Sequence, residues 1–443
     1  MVTMTQNNQM LVNEKQIPDG YKTTEIGLIP HDWSVQKFGE LFEQSITRMK
    51  LKRDDLIAFV GMQDVSESAQ LVDQKIVRFD EVKTGFTFFG KGDVLVAKIT
   101  PCFENGKGCI TDNLITNVGF GSTEFHVLRA NQNSVSKFIY YWTVNSTFRK
   151  KLELDMVGSA GHRRVPLSSI QNYLIPLPAT QVEQEKIATV LSDTDALISE
   201  LEKLIDKKQS IKTATMQQLL TGKTRLPEFA LREDGTPKGY KDSELGQIPE
   251  DWEVVCLGDI GQALIGLTYS PNDTAEFGTL VLRSSNVQNG KLSFDNNVFV
   301  RMALPDRVIV KEGDILICVR NGSRQLIGKC ALIDKKTEGS AFGAFMSVYR
   351  TKSYGFIFYQ FQSNIIQNQI NETMGATINQ ITNKDLNSFR IMQPLIAKEK
   401  NEIYETIKDL DKDINLDIKR LNKLISIKQG MMQELLTGKT RLA

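Results

Sequence analysis

The sequence predicts an α/β (α+β) chain: two β-rich domains in pseudo-twofold repeat, separated by two long antiparallel helices of coiled-coil type. Three observations predict it. Met216 to Leu226 reads MQQLLTGKTRL and Met432 to Leu442 reads MQELLTGKTRL, ten of eleven positions identical at an offset of 216. Gly20 to Trp33 (GYKTTEIGLIPHDW) returns as Gly239 to Trp252 (GYKDSELGQIPEDW), nine of fourteen identical at an offset of 219. Between these anchors the halves diverge, so a common frame holds two different fillings.

The order of elements follows from this repeat. Residues 1–19 are polar and lack the apolar run of a signal peptide, so they are expected to form a flexible leader. The first domain is assigned to 20–179 and the second to 239–395. Each opens with Ile-Pro-x-Asp-Trp, where proline interrupts regular structure and tryptophan can anchor a core. Gly92-Asp93 followed by Val94-Leu95-Val96-Ala97 is a turn and a buried strand, repeated as Gly313-Asp314 with Ile315-Leu316-Ile317-Cys318. Phe138 to Leu152 and Gly355 to Ile370 carry helical spacing. Glycine-led loops follow at Gly158-Ser-Ala-Gly-His-Arg-Arg-Val and Gly375-Ala-Thr-Ile-Asn-Gln-Ile-Thr, and a short strand closes each body at Pro178 and Pro394.

The helices occupy 180–222 and 396–443, the latter with a C-terminal tail, and 223–238 is a linker. In the first, apolar residues recur at Ile187, Leu191, Leu197 or Ile198, Leu201, Leu204 or Ile205, Ile211 and Leu219. The second stripe runs through Ile403, Ile407, Leu410, Ile414, Ile418, Leu421, Leu424 or Ile425, Met431 and Leu435. This is an a/d-type pattern flanked by charge, and forty residues at about 1.5 Å each would reach roughly 60 Å. Two such stripes in one chain are expected to pair as a spacer. Leu191, Ile198, Leu201, Leu219, Leu410, Ile414, Leu421 and Leu435 are the candidate partner-binding residues.

Composition narrows the function. Fifty-four Lys and Arg against 53 Asp and Glu give a net charge of +1, so nucleic-acid contact has to come from local patches. Five cysteines without a CxxC pair, and three histidines, speak for reduced thiols rather than a zinc cluster. No run of apolar residues is long enough to span a membrane, and a cytoplasmic location is expected.

Gly222-Lys223-Thr224 and Gly438-Lys439-Thr440 resemble the end of a phosphate loop. Gln217 and Gln433 stand where its first glycine belongs, so each glycine reads instead as a helix C-cap. No adenine-methyltransferase motif, nuclease constellation or triad around His31, His126 or His162 is present in the sequence. The chain therefore reads as non-catalytic, with no metal or cofactor of its own. Lys98, Thr100, Asn105 and Lys107 follow the first Gly-Asp strand, and Arg320, Asn321, Ser323 and Arg324 follow the second. His162, Arg163 and Arg164 in the first glycine-led loop, and Asn379 and Gln380 in the second, complete the candidate DNA-binding set. Arg, Lys, Asn, Gln and Ser donate to phosphates or read base edges. Any one of them could equally be a polar surface residue, but the loops recur at matching places in both halves.

Taken together, the doubled Gly-Tyr-Lys…Gly-x-Ile-Pro-x-Asp-Trp opening, the Gly-Asp-(Val/Ile)-Leu strand and the doubled Leu-Leu-Thr-Gly-Lys-Thr-Arg-Leu resemble the DNA-specificity (S) subunit of type I restriction–modification systems over essentially the whole chain. The resemblance implies two target-recognition domains, each reading half of a bipartite double-stranded DNA site. It implies helices that bind two methyltransferase (M) subunits, with two restriction (R) subunits joining them. S-adenosylmethionine would then belong to M, and ATP and Mg to R. Two other classes stay open on the residues alone: a stand-alone methyltransferase or nuclease, and a protein–protein adaptor.

Overall fold

In the computed structural model, residues 17–159, 161–374 and 379–442 are described. Most of the leader, together with Ala160 of the first glycine-led loop and Gly375 to Ile378 of the second, lies outside them. The chain forms two compact units: one runs up to Glu202 and resumes at Lys419, and the other is Lys203–Ile418. The division cuts through both long helices, so each unit holds a β-rich body, one end of the first helix and the opposite end of the second.

Within the first unit, the opening motif is a hairpin pairing Tyr21–Thr24 with Gly27–Pro30. Ser34–Lys37 then pairs antiparallel with Leu174–Leu177, bringing the body's start against its end. Between them lie, among the described residues, a four-stranded sheet with a parallel pair (Leu56–Val60 beside Val118–Gly121) and a three-stranded sheet centred on Val94–Ala97. The second unit repeats this plan. Its hairpin is Tyr240–Ser243 with Gly246–Pro249, its closing pair Trp252–Cys256 with Arg390–Pro394, and its parallel pair Thr279–Leu282 with Ala341–Phe342. The Ile315–Cys318 strand again sits inside a sheet. Mixed helix and strand, as expected from the sequence, is what the chain contains.

The Gly-Asp turn has a structural purpose that the sequence did not disclose. Asp93 accepts two hydrogen bonds from Arg129, at 2.8 Å each, and one from the Gly90 amide. Asp314 does the same with Arg350, at 2.7 Å each, and with the Lys311 amide. Both aspartates are buried and both partners lie 36 residues downstream, so the bond ties strand start to neighbouring strand end in either unit.

Each single helix expected in the bodies is two. Ser136–Val144 and Ser146–Leu154 are separated by Asn145, whose extended backbone breaks the helix and whose side chain caps the next one through the amides of Thr147 and Phe148. Ser363 separates Tyr354–Gln362 from Asn364–Thr373 in the same way, without a side-chain cap.

The long helices are Gln181–Leu219 and Ala397–Leu436. Ile187, Leu191, Met432, Leu435 and Leu436 join the core of the first unit around Trp33, Phe38 and Phe148. Leu219, Leu220, Ile403 and Ile407 join that of the second around Trp252 and Phe356. Of the expected alternatives, Ile198 and Ile205 turn inward while Leu197 and Leu204 are exposed; Ile211, expected in the stripe, is also exposed. The helix ends are held to the bodies by the same trio twice. Tyr141 donates to Asp195 (2.8 Å), which pairs with Lys428 (2.5 Å). Tyr359 donates to Asp411 (2.7 Å), which pairs with Lys212 (2.6 Å). In each trio the lysine also lies over the tyrosine ring, at 5.7 and 5.6 Å from its centroid. Burial, first, and the adjacent aspartate push both phenols far above their usual range.

The doubled Gly-Lys-Thr-Arg is a fastener, consistent with the C-cap reading. Gly222 and Gly438 adopt φ of +69° and +71°, and a Cβ on either would collide with the Ile-Pro proline of the same unit (Pro249 or Pro30). The arginine that follows does not serve the helix dipole. Arg225 pairs with Asp251 and Glu399, each at 2.7 Å. Arg441 pairs with Asp32 at 2.7 Å and Glu183 at 2.9 Å, and Glu183 also accepts from the Trp33 indole. Each fastener thus ties the end of one long helix to the opening motif and to the first turn of the other.

Candidate nucleic-acid interface

The two loops that the sequence offered separately in each half are joined by backbone hydrogen bonds. In the first unit, Thr100 N donates to Arg163 O (2.9 Å) and Val165 N to Lys98 O (2.9 Å), with Ile99 and Arg164 forming an antiparallel bridge. In the second, Arg320 bridges Gln380, Ile381 N donates to Val319 O (2.9 Å) and Asn321 N to Asn379 O (3.3 Å). Lys98 to Lys107 with His162 to Arg164, and Arg320 to Arg324 with Asn379 and Gln380, are therefore one rim per unit.

Within the first rim most candidates hold the protein rather than stand free. Thr100 donates to Glu104 (2.9 Å), Asn105 to Glu67 (2.9 Å) and Lys107 to Met62 O (3.0 Å). Arg163 pairs with Glu104 at 3.0 Å, and Arg164 grips Glu124 with two nitrogens at 3.0 and 2.9 Å. The Arg164 bond, followed by its charge, outweighs partial burial and holds the Glu124 carboxyl below the usual range. His162 is exposed. His126 does not join the rim; its Nε2 lies 2.8 Å from Val165 O, and burial, first, pushes the imidazole below its ordinary value.

Under this rim sits a residue the sequence reading passed over. Arg149, buried on the Ser146–Leu154 helix, donates to Thr143 O (2.6 Å) and to Phe103 O (2.7 Å) within the 98–107 loop. Its guanidinium lies 5.1 Å from the Phe103 ring centroid, its Nη2 has no partner, and burial pulls its pKa down to about 10. Nothing in a helical Arg-Lys-Lys run marks it out; the fold alone brings it beneath the loop.

In the second unit, Asn321 donates to Ser284 (2.8 Å), Asn379 to Gly322 O (3.0 Å) and Arg324 to Asn371 O (2.9 Å), while the Ser323 amide donates to Asn321. Arg320 and Asn379 face a cleft of about 1470 Å³ that Arg283, Lys329 and the exposed Phe345 also line. Among the described residues lining it there is no aspartate or glutamate. Arg283 and Ser285, absent from the sequence-derived set, each bring a buried polar atom without a partner, Nε and Oγ. In a chain with balanced charge, an acid-free cleft with three cations is a local positive site.

A family model described as the type I restriction modification DNA specificity domain matches residues 30–213 and again 249–428. The chain belongs to this family. Its two matches coincide with the repeat, and the S-subunit resemblance seen in the motifs is thereby established. The MjaVIII specificity subunit of a type I restriction enzyme from Methanocaldococcus jannaschii is 24% identical over 94% of this chain and 94% of its own length. The EcoAI specificity subunit from Escherichia coli is 36% identical over 35% of this chain, which is 27% of that protein. Among solved structures, a chain of a type I R-M system, studied for its complex assembly and conformational transition, matches with a TM-score of 0.54 at 17% identity. That match covers 93% of this chain and 99% of the other, and shows a shared fold. Among the described residues no helix is long and apolar enough to cross a membrane.

The expected partner-binding leucines mostly cannot serve as an outer surface. Leu191, Ile198, Leu219, Ile414 and Leu435 are buried within the chain, and Leu201, Leu410 and Leu421 are partly so. An a/d stripe reports what a helix buries, and here it buries its own bodies and helix neighbours. Among the described residues the large apolar side chains left exposed are Val182, Leu197, Leu204 and Ile211 on the first helix, the last three spaced by seven, with Leu416 and Ile427 on the second.

Proposed function

We propose that this S-family chain reads a bipartite double-stranded DNA site, one half with each unit, as the non-catalytic subunit of a type I restriction–modification complex. The observation that carries this is the two-loop rim built at the same place in both units from different side chains. A common frame with different donors reads two different half-sites. The test is sequencing of methylated DNA from cells that express the chain together with a type I methyltransferase (M) subunit. A two-part recognition sequence with a fixed gap is expected; a single uninterrupted motif would refute the reading.

The partners follow from the same proposal. Two M subunits would dock on the long helices, carry S-adenosylmethionine and perform the methylation. Two R subunits would bring ATP and Mg, and the complex would work in the cytoplasm. The exposed Leu197, Leu204 and Ile211 series is the docking stripe, in place of the buried leucines. Leu204→Asp should weaken M binding by more than about 1 kcal/mol, read by titration of M onto the chain, with thermal stability unchanged because the side chain is exposed.

Paired antiparallel as a coiled-coil spacer, the helices would also set the gap. One heptad added at Glu202–Lys203 and another at Ile418–Lys419, where the compact units divide, lengthens the pair by about 10 Å. The gap should grow by roughly three base pairs at about 3.4 Å each, with both half-sites unchanged. An unchanged gap in an active complex would show that the helices anchor partners without measuring DNA.

Arg164 offers a further expectation. Glu124→Gln removes the charge that occupies it, so the logarithm of DNA affinity should fall more steeply with the logarithm of salt, by about one unit of slope. The same variant leaves the second half-site unaltered.

A further inference from the structure

We infer that Arg320 is the guanine-reading side chain of the second unit and that Phe345 is the positioning residue that holds it flat; the inference rests on that unit being a DNA half-site reader. Several observations converge on it. The Arg320 guanidinium lies 5.1 Å from the Phe345 ring centroid, and the Arg320 amide donates to Phe345 O at 3.2 Å, so side chain and backbone are both referred to one residue. Phe345 itself is 57% exposed, an aromatic face left at the cleft for no packing reason of its own.

Among the described residues the Arg320 guanidinium makes no hydrogen bond. Arg324 is occupied by Asn371 O, Arg283 by Asn296, and the two arginines of the first rim by Glu104 and Glu124. Arg320 is thus the one arginine of the rims that lies over an aromatic ring and keeps its hydrogen-bonding edge free. The backbone under it is pinned by the bridge to Gln380 and by the Asn321–Ser284 and Asn379–Gly322 bonds. Bridged residues project from the same face, so Gln380 stands beside Arg320, also without a side-chain hydrogen bond.

Chemistry then selects the target. A stacked guanidinium presents two parallel N–H donors in its plane, which match the O6 and N7 acceptors of guanine in the major groove. A phosphate can also take the fork with two parallel bonds, but it needs only positive charge within reach, and an unstacked lysine would meet that need. Stacking on Phe345 restricts the rotation of a long side chain; a base edge, fixed in its plane within the groove, gains from that restriction, whereas a phosphate accepts the fork from many directions.

The test uses the full chain with its methyltransferase partner, with methylated sites sequenced for wild type, Arg320→Ala, Arg320→Lys, Phe345→Leu, Phe345→Tyr and Arg324→Ala. Arg320→Ala should cut discrimination at one guanine of one half-site by about 5- to 150-fold and leave the other half-site intact. Arg320→Lys should lose most of that discrimination while keeping overall DNA affinity, and Arg324→Ala should leave that guanine read as before. Phe345→Leu should reproduce a partial loss at the same base, and Phe345→Tyr, which keeps the ring, should restore it. Equal loss at every base after Arg320→Ala would assign Arg320 to a phosphate and overturn the inference; full discrimination retained by Arg320→Lys would show that a point charge suffices and overturn the role given to the stacked fork and to Phe345. No change in either half-site would make it a surface residue covering Phe345. A wild-type complex without any two-part site would overturn the half-site reading itself, a failure visible before any variant is compared.

Discussion

Arg225→Met is expected to destabilise the chain by about 3–5 kcal/mol, whereas Arg441→Met, its repeat counterpart, should cost about 1 kcal/mol or less. The two arginines occupy matching positions of an almost identical motif, yet their surroundings differ. The Arg225 side chain is 6% exposed and its partner Glu399 1%, so removing the cation strands a buried carboxylate. Arg441 is 41% exposed and Asp32 50%, and its second partner Glu183, 13% exposed, keeps the bond from the Trp33 indole, so water and that bond replace most of what is lost. Denaturant unfolding of both variants, followed with a probe in each unit, checks this. Equal losses would show that the difference in burial between the two fasteners does not set what their arginines contribute. The pH dependence has a definite sign. At Asp251 burial opposes ionisation, but the bonds from Arg225 and Lys238 outweigh it and hold the carboxyl below its usual value. Its contribution is complete above the unfolded carboxylate pKa and disappears as pH falls through the depressed one. Acid should therefore loosen the second unit's fastener only below the ordinary aspartate range.

Asp93→Ala and Asp314→Ala carry the second large effect, and each should strike one unit. Every variant removes a buried carboxylate that receives a bidentate arginine and a backbone amide, leaving those donors without a partner at a cost of about 3–5 kcal/mol. The strand that each aspartate starts runs directly into a rim, at Lys98 or at Arg320. Methylation of DNA with substitutions in either half-site should show relaxed reading of one half for Asp93→Ala and of the other for Asp314→Ala. Loss at both halves from either variant would mean that the two units unfold together.

Much of this was legible in the sequence, and what was not has a physical reason. The opening motifs, the Gly-Asp strands and the glycine caps stand out because a repeat shows the same local requirement twice. Positive φ at Gly222 and Gly438 and full burial of Trp33 and Trp252 are requirements of that kind. Long-range partners left no local trace. Arg129 and Arg350 recur at the same 36-residue distance from their aspartates, a signal present in the sequence but visible only when the two halves are aligned. The Tyr141–Asp195–Lys428 trio spans most of the chain, and its echo in Tyr359, Asp411 and Lys212 could not be recognised before the helices were placed. The partner stripe is not legible from periodicity, because heptad spacing says that a face is covered, not what covers it. In the sequence the rim is two separate loops, because the strand-like bonds between Ile99 and Arg164, or Arg320 and Gln380, need the intervening body.

Interruption of the first unit by the second also orders events during synthesis. Residues up to Glu202 leave the ribosome first, but the segment that completes their core begins at Lys419, 217 residues later (419 minus 202). At about 5–20 residues per second, that is a wait of roughly 10–40 s. Throughout it, the faces of Trp33, Ile187 and Leu191 that Met432, Leu435 and Leu436 will cover remain open to water. The contiguous second unit can close as soon as Ile418 emerges. The part of the protein made first is therefore the last to finish, and it is the nascent first unit, with its apolar seam unsealed, that a chaperone would have to shield.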